Sequence, residues 1–250
     1  MRRPKTAFFD LSCCEGCQLQ FINTGELLLD VVDLVDLVEF REAMSEKWSG
    51  TYDLAFVEGS VTDEHVADRL RKIRERTKTL VAFGSCAAIG GVNGAKNVLD
   101  MEEAGRSVYG EGWRFFPSGR TRALHQVVPV EYVIPGCPVY IPELVTVLKS
   151  ILRGLPYAVP DVAVCNECRM NENVCTFDRG VVCLGPVTRA GCDSWCTSNG
   201  NICYGCRGLV SNPNTEAMSQ AAEKCGLSPE DFARKMDLYN RCLLEEEGNG

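Results

Sequence analysis

Cysteine is the residue type in this sequence whose number and spacing point most directly to chemistry. The 250 residues include 15 cysteines and only two histidines. Three of the cysteines fall in the segment DLSCCEGCQLQ (residues 10–20), and eight more lie between positions 165 and 206. In a reducing compartment, clustered thiols bind iron–sulfur clusters or zinc rather than forming disulfides. The cysteine pattern therefore predicts metal sites built from thiolates.

The first predicted site draws on cysteines that are far apart in the sequence. Cys14 and Cys17 have the two-residue spacing that lets both sulfurs bind one centre, and they follow a strand predicted over residues 5–11. Cys86 and Cys137 each stand at the end of a later predicted strand. Since the carboxyl ends of parallel strands meet at one edge of a sheet, we expect the four thiols to converge. Inert buried thiols are the alternative for the two later cysteines.

A second group of eight cysteines lies close together in the sequence. The numbers of residues between them are 2, 6, 7, 8, 3, 6 and 2, so that the group begins and ends with a CxxC pair. Eight thiols in so short a span predict two sites with four thiolates each. Two four-cysteine zinc ribbons are the alternative, because they also use paired CxxC motifs.

Alternating strand and helix patterns position the first group. Strands are predicted at 5–11, 35–40, 52–60, 79–85 and 131–136, and helices at 17–28, 63–76 and 140–152. This alternation predicts a parallel, doubly wound sheet. The stretch 90–128 reads as a long loop or short helices. Between the prolines of residues 154–161 and the helices predicted from residue 213, the chain has few apolar residues that could build an ordinary core. We therefore predict a second domain that is held together by its metal sites.

Composition and charge exclude several classes of protein. The net charge of −8 argues against nucleic acid as a partner, because phosphate binding needs a basic surface. No apolar run is long enough to cross a bilayer. The apolar run after Arg2 and Arg3 is short and is interrupted by Asp10, which does not fit an export signal. We expect a cytoplasmic protein with no membrane span.

Four motifs in order carry a family resemblance: CEGC after the first strand, VEG with Glu58 at its centre, GSCAAIGG and PGCP. Together they resemble the small subunit of nickel–iron hydrogenases, which is related to the 20 kDa subunit of respiratory complex I. The resemblance implies a flavodoxin-like domain over residues 1–158. It also implies a ferredoxin-like iron–sulfur domain with C-terminal helices over residues 159–250.

The resemblance also implies which residues hold the clusters. Three [4Fe–4S] clusters are expected, and their ligands would be Cys14, Cys17, Cys86 and Cys137 for the proximal cluster, Cys165, Cys168, Cys175 and Cys183 for the second, and Cys192, Cys196, Cys203 and Cys206 for the third. Cys13 and Glu58 would lie beside the proximal cluster without binding it. No catalytic residue is expected in this chain, because the nickel–iron centre would be on the large subunit.

The pattern is closest to that of the cytoplasmic hydrogenases that reduce soluble acceptors. The implied partners are the hydrogenase large subunit and a flavin- or iron–sulfur-containing acceptor subunit linked to NAD(P)H, F420 or ferredoxin. The chain has Gln18-Leu19 where family members commonly have Ser-Glu. The acidic residue that lies beside the cluster in those members therefore has no counterpart at this position.

Several alternatives stay open at this point. The complex I relative uses adjacent cysteines as ligands, so that Cys13 with Cys14 is a second possible pair. Two-cluster ferredoxins exchange ligands between cysteine runs, so that the last two ligand sets could be crossed. The whole chain could instead be a quinone-side module of the complex I type, or a zinc-stabilised binding module.

Overall fold

The computed structural model describes residues 2–116 and 118–247. Its centre is a five-stranded sheet formed by β1 (Lys5–Asp10), β2 (Asp36–Phe40), β3 (Tyr52–Glu58), β4 (Thr77–Phe83) and β5 (Tyr132–Ile134). The strand order is β2-β1-β3-β4-β5, and all neighbouring pairs are parallel. The predicted doubly wound parallel sheet is thus confirmed.

Ten α-helices accompany the sheet in the described residues. They are α1 (Gly16–Ile22), α2 (Glu26–Leu34), α3 (Glu64–Glu75), α4 (Ser85–Ile89), α5 (Met101–Tyr109), α6 (Ile141–Leu152), α7 (Val164–Met170), α8 (Trp195–Ser198), α9 (Thr215–Lys224) and α10 (Pro229–Glu247). No helix in this part of the chain is both long and apolar enough to cross a bilayer.

Apolar cores cover both faces of the sheet, as its buried strands require. On one face Phe8 stacks on Phe56 with ring centroids 4.8 Å apart and on Phe40 at 4.5 Å. On the other face Leu70 of α3 packs with Leu80 of β4, and both are fully buried. The strands are therefore held on both sides, which fixes the positions of their carboxyl ends.

The prediction of a single helix over residues 17–28 is wrong, because the structure has two helices there. The Thr24 backbone N–H and hydroxyl both donate to the Phe21 carbonyl, at 3.2 and 2.7 Å. These bonds tighten the last turn of α1 and take a carbonyl that a continuing helix would use. The chain restarts as α2 at Glu26.

The loop or short helices predicted over residues 90–128 consist of α5 and three short 3₁₀ turns, at Gly91–Val98, Gly110–Phe115 and Leu124–Gln126. The first of these turns packs against α10, although α10 comes from the far end of the chain. The contact places Gly90, in a left-handed conformation with φ of +82°, against the buried thiol of Cys242. Cys242 therefore serves packing between distant parts of the chain.

The cysteine-rich segment has more apolar packing than the sequence predicts. Leu184 and Val187 pack with Met218 of α9 and with Phe232 and Met236 of α10, in one buried cluster. The C-terminal helices supply the side chains that the segment lacks. The boundary predicted at residues 158 and 159 stays a prediction, and residues 248–250 lie outside the described residues.

Gly90→Ala is expected to lower the free energy of unfolding by about 2–4 kcal/mol, because a side chain there adds left-handed strain to overpacking. A Cβ at position 90 would lie 2.4 Å from the Cys242 sulfur. Denaturant unfolding measures the loss. Gly112→Ala is the control, since a Cβ there meets nothing within 4 Å; an equal effect of both substitutions would contradict the packing role of Gly90.

Candidate functional site

The first group of cysteines stands where the strands of the sheet end in one row. Asp10 pairs with Glu58, Glu58 with Phe83, and Phe83 with Ile134 across neighbouring strands. One cysteine follows Phe83 by three residues, and another follows Ile134 by three residues. Equal distances from an aligned row bring both cysteines to the same edge of the sheet.

Backbone hydrogen bonds hold the two later cysteine loops together. The Gly84 N–H donates to the Ile134 carbonyl at 2.8 Å, and the Ser85 N–H donates to the Gly136 carbonyl at 2.9 Å. Cys86 and Cys137 are the next residues of these two loops. The sheet pairing therefore continues past the strands, up to the cysteines themselves.

Electrostatic interactions connect the four predicted thiols, since Cys86 interacts with Cys14 and with Cys137, and Cys137 interacts with Cys17. Burial, followed by the nearby sulfurs of Cys137 and Cys14, raises the pKa of the Cys86 thiol to about 12. Burial raises the pKa of Cys17 even more, and Glu58 and Cys137 add to this effect. Cys14 and Cys137 are the exposed members of the set.

Glycine leaves room for sulfur at this edge. A Cβ on Gly84, where φ is +88°, would lie 2.4 Å from the Cys17 sulfur, and one on Gly91 would lie 2.9 Å from the Cys86 sulfur. Such distances are too short for real carbon atoms, so that only glycine lets the thiols occupy these positions. The space around this group is thus reserved for sulfur and for what sulfur binds.

Glu58, predicted to lie beside the first site, has defined structural partners. Its buried carboxylate accepts hydrogen bonds from the backbone N–H groups of Cys17 and Gln18, both at 3.1 Å, and from the Gln18 side-chain amide at 3.2 Å. It therefore fixes the first turn of α1, which carries Cys17. Gln18 departs from the common family pattern, and here its side chain binds this carboxylate.

Cys13 also lies close to the first group. Its pKa is raised to about 12 by burial first and then by Glu58, and Cys86 contributes to the same rise. The Cys13 sulfur lies 3.8 Å from the Leu11 carbonyl oxygen. The structure thus places Cys13 near Glu58 and Cys86, two residues of the predicted site.

Four of the eight later cysteines line one cavity: Cys165, Cys168, Cys175 and Cys183. Burial raises the pKa of Cys165 to about 11, and the nearby sulfurs of Cys183, Cys168 and Cys175 contribute. Val174, Phe177 and Pro186 complete the apolar wall. The chain segments before and after the short turn Thr176–Arg179 thus face one another across this space.

The other four later cysteines line a second cavity, together with one cysteine of the first group: Cys137, Cys192, Cys196, Cys203 and Cys206. Burial raises the pKa of Cys206 to about 12, and the sulfurs of Cys192, Cys137 and Cys196 contribute. Burial also raises the pKa of Cys192, although the neighbouring Arg207 cation opposes that rise. The second cavity therefore borders the first group of cysteines.

The two cavities are adjacent. Val164 and Thr197 line both of them. The Cys203 backbone N–H donates to the Cys183 sulfur at 3.1 Å, from one cysteine set to the other. Among the residues that the structure describes, no group of three or more His, Cys, Asp or Glu side chains is arranged as a ligand set for a metal ion.

A buried ion pair that sequence reasoning missed joins the cysteine-rich segment to the sheet. Arg207 follows Cys206 and donates to both carboxylate oxygens of Glu143 in α6, at 2.6 and 2.7 Å. It also donates to the Pro135 carbonyl at 2.9 Å and to the Ala190 carbonyl at 2.8 Å. The only sequence signal was an arginine beside a CxxC pair, which could equally be a surface residue.

Comparison with known proteins identifies the family. The sequence profile described as NADH ubiquinone oxidoreductase, 20 Kd subunit, matches residues 14–151. The chain is 35% identical to Sulfhydrogenase 2 subunit delta of Pyrococcus furiosus, in an alignment that covers 95% of this chain and 99% of that protein. It is 30% identical to a subunit of the F420-non-reducing hydrogenase vhu of Methanococcus voltae, over 97% and 96% of the two chains.

A solved structure supports the same assignment. A chain of an NAD+-reducing nickel–iron hydrogenase in the H2-reduced state superimposes with a TM-score of 0.55 and 27% identity, over 64% of this chain and 96% of that chain. The protein therefore belongs to the family of nickel–iron hydrogenase small subunits and complex I 20 kDa subunits. It is a subunit of an oxidoreductase, and the resemblance found in the four sequence motifs is confirmed.

Glu143→Gln is expected to lower the free energy of unfolding by about 3–5 kcal/mol, since it leaves the buried Arg207 cation without its counter-charge. Denaturant unfolding of the anaerobically purified protein measures the loss. Glu223→Gln, which removes a carboxylate from an exposed position of α9, is the matched control. Equal stability of the two variants would show that the ion pair does not hold the cysteine-rich segment to the sheet.

Proposed function

We propose that this chain is the electron-transfer small subunit of a cytoplasmic nickel–iron hydrogenase, with three [4Fe–4S] clusters. The observation that supports the proposal is the placement of twelve cysteines, four of which lie at the start of α1 or just beyond strand ends while the other eight line two adjacent cavities. The first predicted set lies at the carboxyl edge of the sheet, the second lines one cavity, and the third lines a neighbouring cavity that Cys137 also borders. The nickel–iron active site lies on the large subunit.

The residues that would hold the clusters are the three predicted ligand sets. Cys14, Cys17, Cys86 and Cys137 would hold the first cluster, Cys165, Cys168, Cys175 and Cys183 the second, and Cys192, Cys196, Cys203 and Cys206 the third. Each such cluster, when bound, supplies a one-electron redox couple. All-cysteine sets surrounded by apolar side chains and by backbone N–H groups fit this kind of group.

The positions of the three sets support an order for the electron path. Cys137 belongs to the first set and also lines the cavity of the third. The cavity of the third set in turn shares Val164 and Thr197 with the cavity of the second. We therefore propose that electrons pass from the first set to the third and from there to the second.

The protein's own residues keep these sites in place. Glu58 holds the helix turn that carries Cys17, and Arg207 ties the third set to α6. Fixed positions keep the donor and acceptor separations constant. Burial and hydrogen bonds to sulfur are the means by which such a scaffold sets reduction potentials.

The partners follow from the task of the subunit. Its first site would face the hydrogenase large subunit, which supplies or takes up electrons. The other end of the relay would face an acceptor subunit that contains a flavin or an iron–sulfur cluster and that reacts with NAD(P)H, F420 or ferredoxin. We propose that this complex is cytoplasmic.

Two other functions make different predictions. A quinone-side module of the complex I type needs only the first cluster, so that the eight later cysteines would have no role. A zinc-stabilised binding module would use the same cysteines without redox chemistry. The quinone-side module leaves the two cysteine-lined cavities unexplained, and the zinc module gives no reason for these cavities to border one another and the sheet edge.

Metal analysis separates these functions. We expect about twelve iron and twelve acid-labile sulfide per chain after anaerobic purification, as three four-iron clusters require. Cys175→Ala should remove between about one and four iron atoms, whereas Cys225→Ala, outside all three sets, should remove none. About two zinc and no sulfide would instead support the zinc module.

Reduction by hydrogen tests the hydrogenase role directly. We expect the chain to co-purify with a nickel-containing partner and its clusters to be reduced under H2 but not under argon, because H2 oxidation on the partner releases two electrons and two protons. Visible absorbance and EPR spectroscopy follow the reduction. Clusters that are present but stay oxidised under H2, in a complex without nickel, would overturn the hydrogenase assignment.

A further inference from the structure

One carboxylate joins the second cysteine set to the third. Glu167 lies in α7, between the paired cysteines with which the second set begins. Its two oxygens accept hydrogen bonds from the backbone N–H groups of Gly191, at 2.7 Å, and of Ser194, at 3.0 Å. These two residues flank Cys192, the first cysteine of the third set. The charged end of a side chain from one site is thus held against the loop of the next.

The two hydrogen bonds fix the position of the carboxylate relative to Cys192. Gly191 immediately precedes Cys192 and Ser194 follows it by two residues, so that a group bonded to both N–H groups lies next to the backbone that carries this cysteine. Burial is the largest cause of the raised pKa of the Cys192 thiol, and the charge of Glu167 adds to it. The hydrogen bonds therefore place a negative group beside a proposed cluster ligand, and the charge interaction agrees with them.

The charge of Glu167 is not neutralised by a cation in the described part of the chain, since its two hydrogen bonds come from neutral backbone groups. Two other charges near Cys192 are compensated or exposed. The Arg207 cation is paired with the buried carboxylate of Glu143, and Asp193 is exposed to solvent. Glu167 is half-buried, and a charge in that position is screened less than one in water.

The loop that Glu167 binds has other anchors. The Asn171 side-chain amide donates to the Asp193 carbonyl at 3.1 Å and to the Asp193 carboxylate at 2.9 Å. The Asn173 amide donates to the hydroxyl of Ser198 in α8, which follows the loop, at 2.9 Å. Glu167→Gln keeps the shape of the side chain and one acceptor oxygen. The charge can therefore be removed without releasing the loop.

We propose that Glu167 is a positioning residue of the electron relay, whose carboxylate lowers the reduction potential of the third cluster from its place beside Cys192. Reduction makes a cluster and its thiolates more negative, and a neighbouring negative charge opposes that change. The third site lies between the other two in the proposed electron path, so that its potential affects both steps of the relay. This inference rests on the proposed function, because it requires a cluster at the third site.

Glu167→Gln tests the proposal in the anaerobically purified hydrogenase complex. The readout is an EPR-monitored redox titration, in which the signal of the third cluster is identified as the one that changes in Cys196→Ala. Removal of a half-buried unit charge beside a ligand raises the ratio of reduced to oxidised third cluster about tenfold at a fixed potential. For a one-electron couple this is a shift of about 59 mV to more positive potential.

Asp178→Asn is the matched control, because it also replaces one carboxylate by an amide. Asp178 lies in the turn Thr176–Arg179 of the cysteine-rich segment and is exposed, and its side chain has no hydrogen bond or ion pair with the residues that the structure describes. We expect this variant to leave the third potential unchanged, since water and salt screen an exposed charge. Both variants should keep the parental iron content.

Four outcomes would overturn the inference, and they are distinguishable. An unchanged third potential in Glu167→Gln, with all clusters present, refutes the role of Glu167 alone. An equal shift in Asp178→Asn assigns the effect to the net charge of the chain and not to the place beside Cys192. Loss of the third cluster in Glu167→Gln makes Glu167 necessary for assembly instead of for the potential. A parent protein without clusters refutes the proposed function together with this inference.

Discussion

The buried ion pair between Arg207 and Glu143 is the interaction on which the relation between the cysteine-rich segment and the sheet depends. Both side chains are almost wholly buried, so that neither charge could remain there without the other. The pair places Cys206 beside the loop that carries Cys137, and the Ser85 hydroxyl also donates to the Cys206 carbonyl. Tyr157 adds a hydrogen bond to Glu143 at 2.6 Å. A relay needs fixed separations, and a fully satisfied buried network provides them.

Glu58 follows the same physical logic beside the first group of cysteines. It is a buried carboxylate at the end of a strand, and three N–H donors bind it where Glu143 has a guanidinium cation. Those donors compensate the cost of burying it. Two buried glutamates thus do related tasks, since Glu58 orders α1 and Glu143 orders the cysteine-rich segment. Both act on the backbone that carries cysteines, which leaves the thiols as the groups available for metal ligation.

Space is the other constraint on this edge of the sheet. At Gly84 and Gly91 the backbone lies so close to a cysteine sulfur that an added Cβ would overlap it. Gly185 also lies close to the sulfurs of Cys165 and Cys183. Close backbone approach lets N–H groups face sulfur, as the Cys203 N–H does at Cys183. The arrangement suits groups whose potentials depend on hydrogen bonds and burial.

Much of the fold could be predicted from local patterns in the sequence. Buried strand patterns ending in VEG, GSC and PGC predicted β3, β4 and β5 and the edge that they share, because strand order and hand follow general rules for parallel sheets. The single helix over residues 17–28 was wrong, since the Thr24 bonds to Phe21 that end α1 depend on a turn that periodicity does not reveal. The apolar core of the cysteine-rich part was missed for a related reason. Its side chains come from α9 and α10, and their docking is non-local.

The sequence by itself determined the family of this protein, because the spacing of its cysteines and the four motifs around them resemble those of hydrogenase small subunits. It also determined the sheet, because the apolar residues that mark a buried strand lie next to one another in the sequence. Only the tertiary structure decided that Arg207 forms a buried ion pair with Glu143, that the Gln18 amide donates to Glu58, and that Tyr239 of α10 and Cys137 line one cavity. These contacts join residues 40 or more positions apart, and a pattern along the chain carries no information about which distant side chain will share a buried space.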